Sequence, residues 1–570
     1  MLERIRKYYC QLYDMPYEKI PRGAEDGRAR RTTAYLDMVA EVVRRKLEDT
    51  KSQPFFKDND KSKYFEMLPE GSIYKKAYLK LMKMEPSAER DAVARDLTDK
   101  MESGSIDVNI MVKLDKMNYD AGGKPLSEEF SDAKSALRGY GLSKLKSSIV
   151  FSAGINQSLF SYMMQFRDFY RDEFGEIKKK IILKVSDFRS ALIQGKFLAK
   201  KGLEVFEFRV ESGLNCGGHA FPANGHLLPS LLQEFKEKRQ ELAKQFLPLI
   251  TKFYQEKGWK ISEKTLTHSP QLTVQGGIGT YAESRRMIEG FGFDKTGWAS
   301  PFLLVPEATL VDDVTRQKLA EATEKDLYLS DSSPLNIPFN NLRTSGSSKW
   351  TQDRIDKGHP GSPCPKGFLV SNTEFTPLPI CHASSDFQKR KLDEIDGMLI
   401  GEQERAVLRE KVLVKQCICD HLGNGALIAL GLVRPEAAPQ SICPGPNIAW
   451  FNRTYTLREM VDHIYGRGPS LVPPERPHMF TKEIVMYVDY FEKRVSRCQL
   501  GAVREVQELK EFLENLEAGM EFCLQVAGSE AYGDENLKSI PPCVREQRQR
   551  LVGVVRRLHE LEKVELSIAK

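Results

Sequence analysis

Two short stretches carry residue types that could do chemistry. In the first, VFEFRVESGLNCGGHAFPANGH (residues 205–226), a histidine follows two glycines just after a run of β-formers. Glycine removes the Cβ that would keep a ligand away from the backbone, and an imidazole titrates near neutrality, so His219 is a candidate acid or base. In the second, VQGGIGTYAESRRMIE (residues 274–289), Gly276, Gly277, Gly279 and Thr280 follow another apolar run and precede a helical pattern. Successive backbone N–H groups and a hydroxyl at that junction suit a phosphate. A third set, Cys364, Cys381, Cys417, Cys419 and Cys443, sits beside prolines and glycines in one segment. Its spacing matches no zinc or ferredoxin pattern, so no metal is assigned and the question of a metal or cluster stays open.

Elements of two kinds must position these residues. Short apolar runs at 106–114, 147–155, 179–187, 203–212, 270–280 and 298–306 alternate with amphipathic helical segments. That alternation predicts an α/β fold with a parallel sheet or barrel, whose functional groups gather past the carboxyl ends of the strands. Residues 1–104 read as a charged helical segment, 105–345 as the α/β barrel and 346–456 as a loop- and cysteine-rich extension. Residues 457–570 read as helical, ending in two amphipathic helices around a Pro-Pro turn that pack on the barrel or on a partner. Long loops are expected over 330–380, which is rich in Ser, Pro, Asn and Gly.

Bulk properties narrow the function classes. The 570 residues carry a net charge of +6 with both signs interspersed, and no aromatic-basic motif points to nucleic acid. The first twenty residues lack the apolar core of a secretory signal, and no apolar run is long enough to span a bilayer. A cytoplasmic protein with reduced cysteines, a small-molecule substrate and neither a nucleic-acid nor a membrane partner is expected.

In the order of its pieces, the chain resembles the nitronate monooxygenase (2-nitropropane dioxygenase)-like flavoproteins, TIM (β/α)8 barrels that bind FMN. The motifs that carry the resemblance are NCGGH at 215–219, QGGIGT at 275–280 and GWASPFLLVPEA at 297–308, and it covers roughly residues 105–345. It implies that His219 is the base beside the flavin and that Gly276, Gly277, Gly279 and Thr280 hold the FMN phosphate, with Ala299 and Ser300 on its other side. Asn109, Lys184, Gly217 and Gly218 are the further cofactor-binding positions it implies. The activity implied is a flavin-dependent oxidoreductase acting on an acidic carbon. Two alternatives are an enoyl reductase of polyketide or polyunsaturated fatty acid synthesis, which would use NADPH, and a catalytically incomplete barrel serving as a binding module. A homo-oligomer or a carrier protein is the expected association.

The chain departs from that pattern in two places. Asn215-Cys216 stands where the family has Glu-Ala, which brings a thiol near the flavin. The six apolar runs align with the third to eighth barrel strands, and residues 1–104, which resemble an internal insert, offer no counterpart of the first two. The expectation is a barrel lacking those two strands, which upstream residues outside this reading frame would supply, and a chain that alone binds FMN weakly or not at all.

Overall fold

The computed structural model describes all residues except 111–114, 121–123, 153, 217–222, 365–366, 499–502 and 569–570. Six strands form its main sheet: β1 (Asp107–Ile110), β2 (Ser147–Phe151), β3 (Lys179–Val185), β4 (Val205–Glu211), β5 (Gln271–Gln275) and β6 (Lys295–Gly297). Every pairing is parallel, and the spatial order is the chain order. Sequential order without reversal is the winding of a barrel wall, in contrast to the doubly wound sheet, whose order reverses partway.

The sheet curls. Strands β1 and β4 would lie about 14 Å apart in a flat sheet. Yet Arg209 on β4 pairs with Asp107 on β1 at 2.6 Å, so the sheet is a six-stranded half-barrel with β1 and β6 at its edges. A register shift between Ile181 and Ile182 against β4 adds to the bend and turns both Phe206 and Glu207 toward the concave side. Side-chain alternation then sorts the residues. Ile149, Ile181, Leu183, Phe208, Val210 and Val274 face outward and are fully buried beneath the helices, while Asp107, Glu207, Arg209, Gln271, Thr273 and Lys295 line the bowl.

Helices supply the outer layer. Leu228–Glu256 packs against Phe188–Ala199, and Met479–Arg497, Val503–Ala527 and Ile540–Ile568 extend the same apolar core. Pro541 and Pro542 sit in the first turn of the last helix, where the missing N–H groups cost nothing. Gly225 approaches Phe512 so closely that a Cβ would lie 2.2 Å from its carbonyl oxygen, which locks the C-terminal hairpin onto the sheet unit. The described part of residues 1–104 forms helices only, the longest being Gly27–Ser52, which packs on Asp132–Leu142.

Three expectations are corrected or bounded. The last strand is Lys295–Gly297, upstream of the apolar run 298–306, because Pro301 cannot donate to a ladder and instead opens the 3-10 turn Pro301–Leu304. Leu304 and Val305, the apolar residues that suggested a strand, are buried in a second core with Phe451 and Met460. Within 330–380, the structure places β8 (Phe339–Leu342), antiparallel to β7 (Leu327–Ser330) at the start of that stretch, and the helix Gly346–Asp356, whose N-cap Ser345 accepts from the Ser348 N–H. Of the first run, Asp107–Ile110 is strand, and 111–114 lies outside the described residues.

Candidate functional site

Past the carboxyl ends of β4, β5 and β6, three short loops converge. After β4, the Ser212 hydroxyl accepts the Leu214 N–H at 3.0 Å and folds the chain back so that Asn215 and Cys216 meet the next loop. After β5, Gly276 and Gly277 have φ of +102° and +83°, a region open to glycine. A Cβ on Gly276 would stand 2.9 Å from the Asn215 N, so the two loops touch backbone to backbone. After β6 comes Ala299–Ser300, whose Ser300 hydroxyl accepts the Gly445 N–H at 3.0 Å. Between the loops and the concave face lies a cavity of about 500 Å3, lined by Cys216, Gly276, Gly277, Ile278, Ala299 and Ser300 among others. That volume is within the range of sites for small molecules and cofactors.

The cavity wall is polar and incompletely satisfied. Asn215 Oδ1, Gln271 Oε1 and Thr273 Oγ1 are buried without a hydrogen-bond partner among the described residues, and all three residues line the cavity. Leaving such atoms unpaired costs about 1–3 kcal/mol each.

Six of the residues singled out from sequence therefore stand around or against one space: Asn215, Cys216, Gly276, Gly277, Ala299 and Ser300. Gly279 and Thr280 do not line it. The Gly279 N–H donates to Glu283 Oε2 at 2.8 Å, and the Thr280 hydroxyl caps the following helical turn by accepting the Glu283 N–H at 3.1 Å. A carboxylate of the chain thus takes the amide that sequence reading gives to phosphate. Lys184 is tied to Glu211 at 2.9 Å on the concave side of β3 and β4, and Asn109 is exposed on β1. Gly217, Gly218 and His219 lie outside the described residues.

The extension contributes residues that no motif announces. Asn447 lines the cavity and donates to the Ile278 carbonyl at 3.0 Å. Beneath the glycine loop, the buried Arg476 pairs with Glu283 at 2.7 Å and donates to the Gly277 carbonyl at 2.9 Å. Burial alone would raise the Glu283 carboxyl, but the Arg476 guanidinium and His478 hold it below the usual carboxylate range. Burial pushes the Cys216 thiol up, against the smaller effects of the Gly445 backbone and Ser300. Its Sγ donates to the Cys443 carbonyl at 3.1 Å, so Cys216 is a structural donor rather than a thiolate nucleophile. Behind the loop, the buried Glu483 accepts from the Ser212 hydroxyl at 3.0 Å and the Leu228 N–H at 2.9 Å. Desolvation pushes it up to about 7.

Among the described residues, no three His, Cys, Asp or Glu side chains already surround a metal-sized point. No helix among them is long and apolar enough to cross a membrane. No protein-family model and no curated protein sequence matches the chain. Among solved structures, FabK from Thermotoga maritima is similar at 12% identity over 72% of this chain and 85% of that one, with a TM-score of 0.33. The enoyl reductase domain of MlnA from the macrolactin biosynthesis cluster of Bacillus amyloliquefaciens is similar at 14% identity over 66% and 84%, with a TM-score of 0.35. TM-scores below 0.5 do not establish a shared fold.

Proposed function

We propose that the chain is a flavin-dependent oxidoreductase whose cofactor occupies the cavity between the concave face of the sheet and the loops that follow the strands. The observation that carries this reading is the convergence of Gly276–Gly277, Ala299–Ser300 and Asn215 on one polar cavity. The motif order read in the sequence supports the same choice. The fit is partial in an informative way: Gly276, Gly277 and Ile278 on one side and Ala299 and Ser300 on the other are the residues that would hold a phosphate-bearing cofactor. Gly279 and Thr280 are engaged with Glu283 instead.

FMN, when bound, supplies the electron acceptor that no amino-acid side chain provides. The chain's part is to hold cofactor and substrate and to move a proton. His219, three residues beyond Cys216, is the proposed base, removing a proton from a carbon made acidic by its substituent. Asn215, which lines the cavity, is the proposed orienting residue.

The test uses the purified full chain reconstituted with FMN. Ala299→Asp, at an exposed position of the cavity lining, adds a carboxylate beside the proposed phosphate position and abolishes flavin uptake in a protein whose circular dichroism is unchanged. Uptake equal to the parent's would remove the phosphate assignment. His219→Ala retains flavin but slows its reduction by a neutral nitroalkane, whose C–H proton must be removed, roughly a hundredfold or more. Reduction driven by NADPH in place of the carbon acid would instead favour the enoyl reductase reading.

A further inference from the structure

The cavity runs the length of the strands, and its amino end differs from its carboxyl end. There the register of the sheet sets Asp107, Ser148 and Lys180 side by side on β1, β2 and β3, about 4.8 Å from strand to strand. All three line the cavity. The break in register between β3 and β4 adds the Phe206 ring to the same end, and Lys295 enters from β6. The Lys180 ammonium lies 4.1 Å from the centre of that ring and the Lys295 ammonium 5.8 Å from it. Two strands that are not neighbours in the sheet thus bring their cations to one place.

These groups are not consumed by one another. Arg209 pairs with Asp107 at 2.6 Å and with Glu207 at 2.5 Å, and Lys295 stands 3.6 Å from the same Glu207. Three cations and two carboxylates therefore line the cavity, a surplus of one positive charge. Among the described residues, the Lys180 ammonium has no hydrogen bond and no ion pair, and the Ser148 hydroxyl, on a residue only 7% exposed, has no hydrogen-bond partner. Glu176, the acid that acts on Lys180, is already paired with Lys264. Burial first, then Lys146, holds the Lys180 ammonium below its ordinary range, and Lys295 acts in the same direction. An anion between the two lysines would offset that repulsion.

We propose that the amino end of the bowl is a binding site for the carboxylate of a small organic acid, held by the Lys180 and Lys295 ammonium groups and the Ser148 hydroxyl. A surplus of one charge, with a hydroxyl and an ammonium on adjacent strands, matches a group with one charge and two oxygens. A phosphate dianion would bring a second charge beside Asp107 and Glu207. Gln271, opposite Glu207 at this end, is five residues from Gly276, about 16 Å of strand. The acid therefore neither needs nor displaces a cofactor at the glycine loop, and the proposal stands whether or not a flavin binds.

The experiment is isothermal titration of the full chain, without FMN, using butyrate, its uncharged amide butyramide, and inorganic phosphate. Butyrate should bind saturably and at least about tenfold tighter than butyramide, the scale of a hydrogen bond to a charged group. Lys180→Met, which keeps an apolar stem over Phe206, should abolish that binding, and Ser148→Ala should weaken it about tenfold. Lys83→Met, at an exposed lysine elsewhere, should leave it unchanged. The comparison of acid with amide needs only the parent protein, so it decides the matter even where a variant fails to fold. No saturable binding of butyrate, equal affinity for acid and amide, tighter binding of phosphate, or undiminished binding by Lys180→Met would overturn the assignment.

Discussion

On β3, β4 and β5 the outward-facing residues are Ile181, Leu183, Phe208, Val210, Leu272 and Val274, each fully buried. Their alternates in the bowl include Glu207, Arg209, Gln271, Thr273 and Gln275. The outer face is saturated, with every side chain packed against helices. The inner face holds ion pairs and orphaned polar atoms around an open space. One set of strands therefore does two jobs: its convex side supplies the folding free energy, and its concave side presents the chemistry. Damage to the first should appear as lost stability, and damage to the second as lost binding.

The sharpest separation is expected from Phe208→Ala. It removes a fully buried aromatic ring from the convex core and should destabilise the fold by about 3–5 kcal/mol. Chemical denaturation measures it, and a loss below about 1 kcal/mol would mean that the outer face is not the main core. Arg476→Met tests the seam between the faces, where the extension reaches under the glycine loop. Stranding Glu283 without its cation should cost about 3–5 kcal/mol, and replacing the pair together by Met and Gln should recover most of that loss.

Glu483 gives a pH signature to the loop behind the cavity. Its folded value of about 7 lies above the ordinary 4.5. The group's contribution to stability is therefore fully present below about pH 4.5, declines as pH rises and is lost above about pH 7, a change of roughly 3 kcal/mol. Denaturant midpoints of the parent and Glu483→Gln at pH 5 and pH 8 should diverge by that dependence, and parallel curves would remove it. The smallest effect belongs to the concave ion pair. Asp107→Asn should cost under about 1 kcal/mol, because both partners are partly solvated, and a larger loss would show that the bowl itself is core.

The convex face was legible because burial on one side imposes a run of β-branched and aromatic residues that period-2 patterning exposes. Five of the six strands fell where those runs are. The sixth did not, since Lys295–Gly297 is short and lacks apolar residues, while the run beside it was claimed by a different core. The position of Gly276, Gly277 and Ser300 beside the cavity was readable because a backbone approach needs glycine and a small polar neighbour. Asn447, Arg476 and Glu483 were not, because each acts through contacts that cross more than 160 residues of sequence, and no local pattern encodes such a contact. Gly279 and Thr280 misled for the complementary reason: a glycine-threonine helix start serves equally to cap a helix and to hold an anion, and Glu283 decides which.

The central claim is that the concave cavity holds a flavin by its phosphate end as well as by its ring. The most direct measurement is a pair of fluorescence titrations of the full chain, one with FMN and one with riboflavin, which lacks the phosphate. The account predicts weak but saturable quenching with FMN, as befits a six-stranded half-barrel, at least about tenfold tighter than with riboflavin, the scale of one charge-assisted hydrogen-bonded contact. Equal affinities, or no saturable binding of FMN, would contradict it.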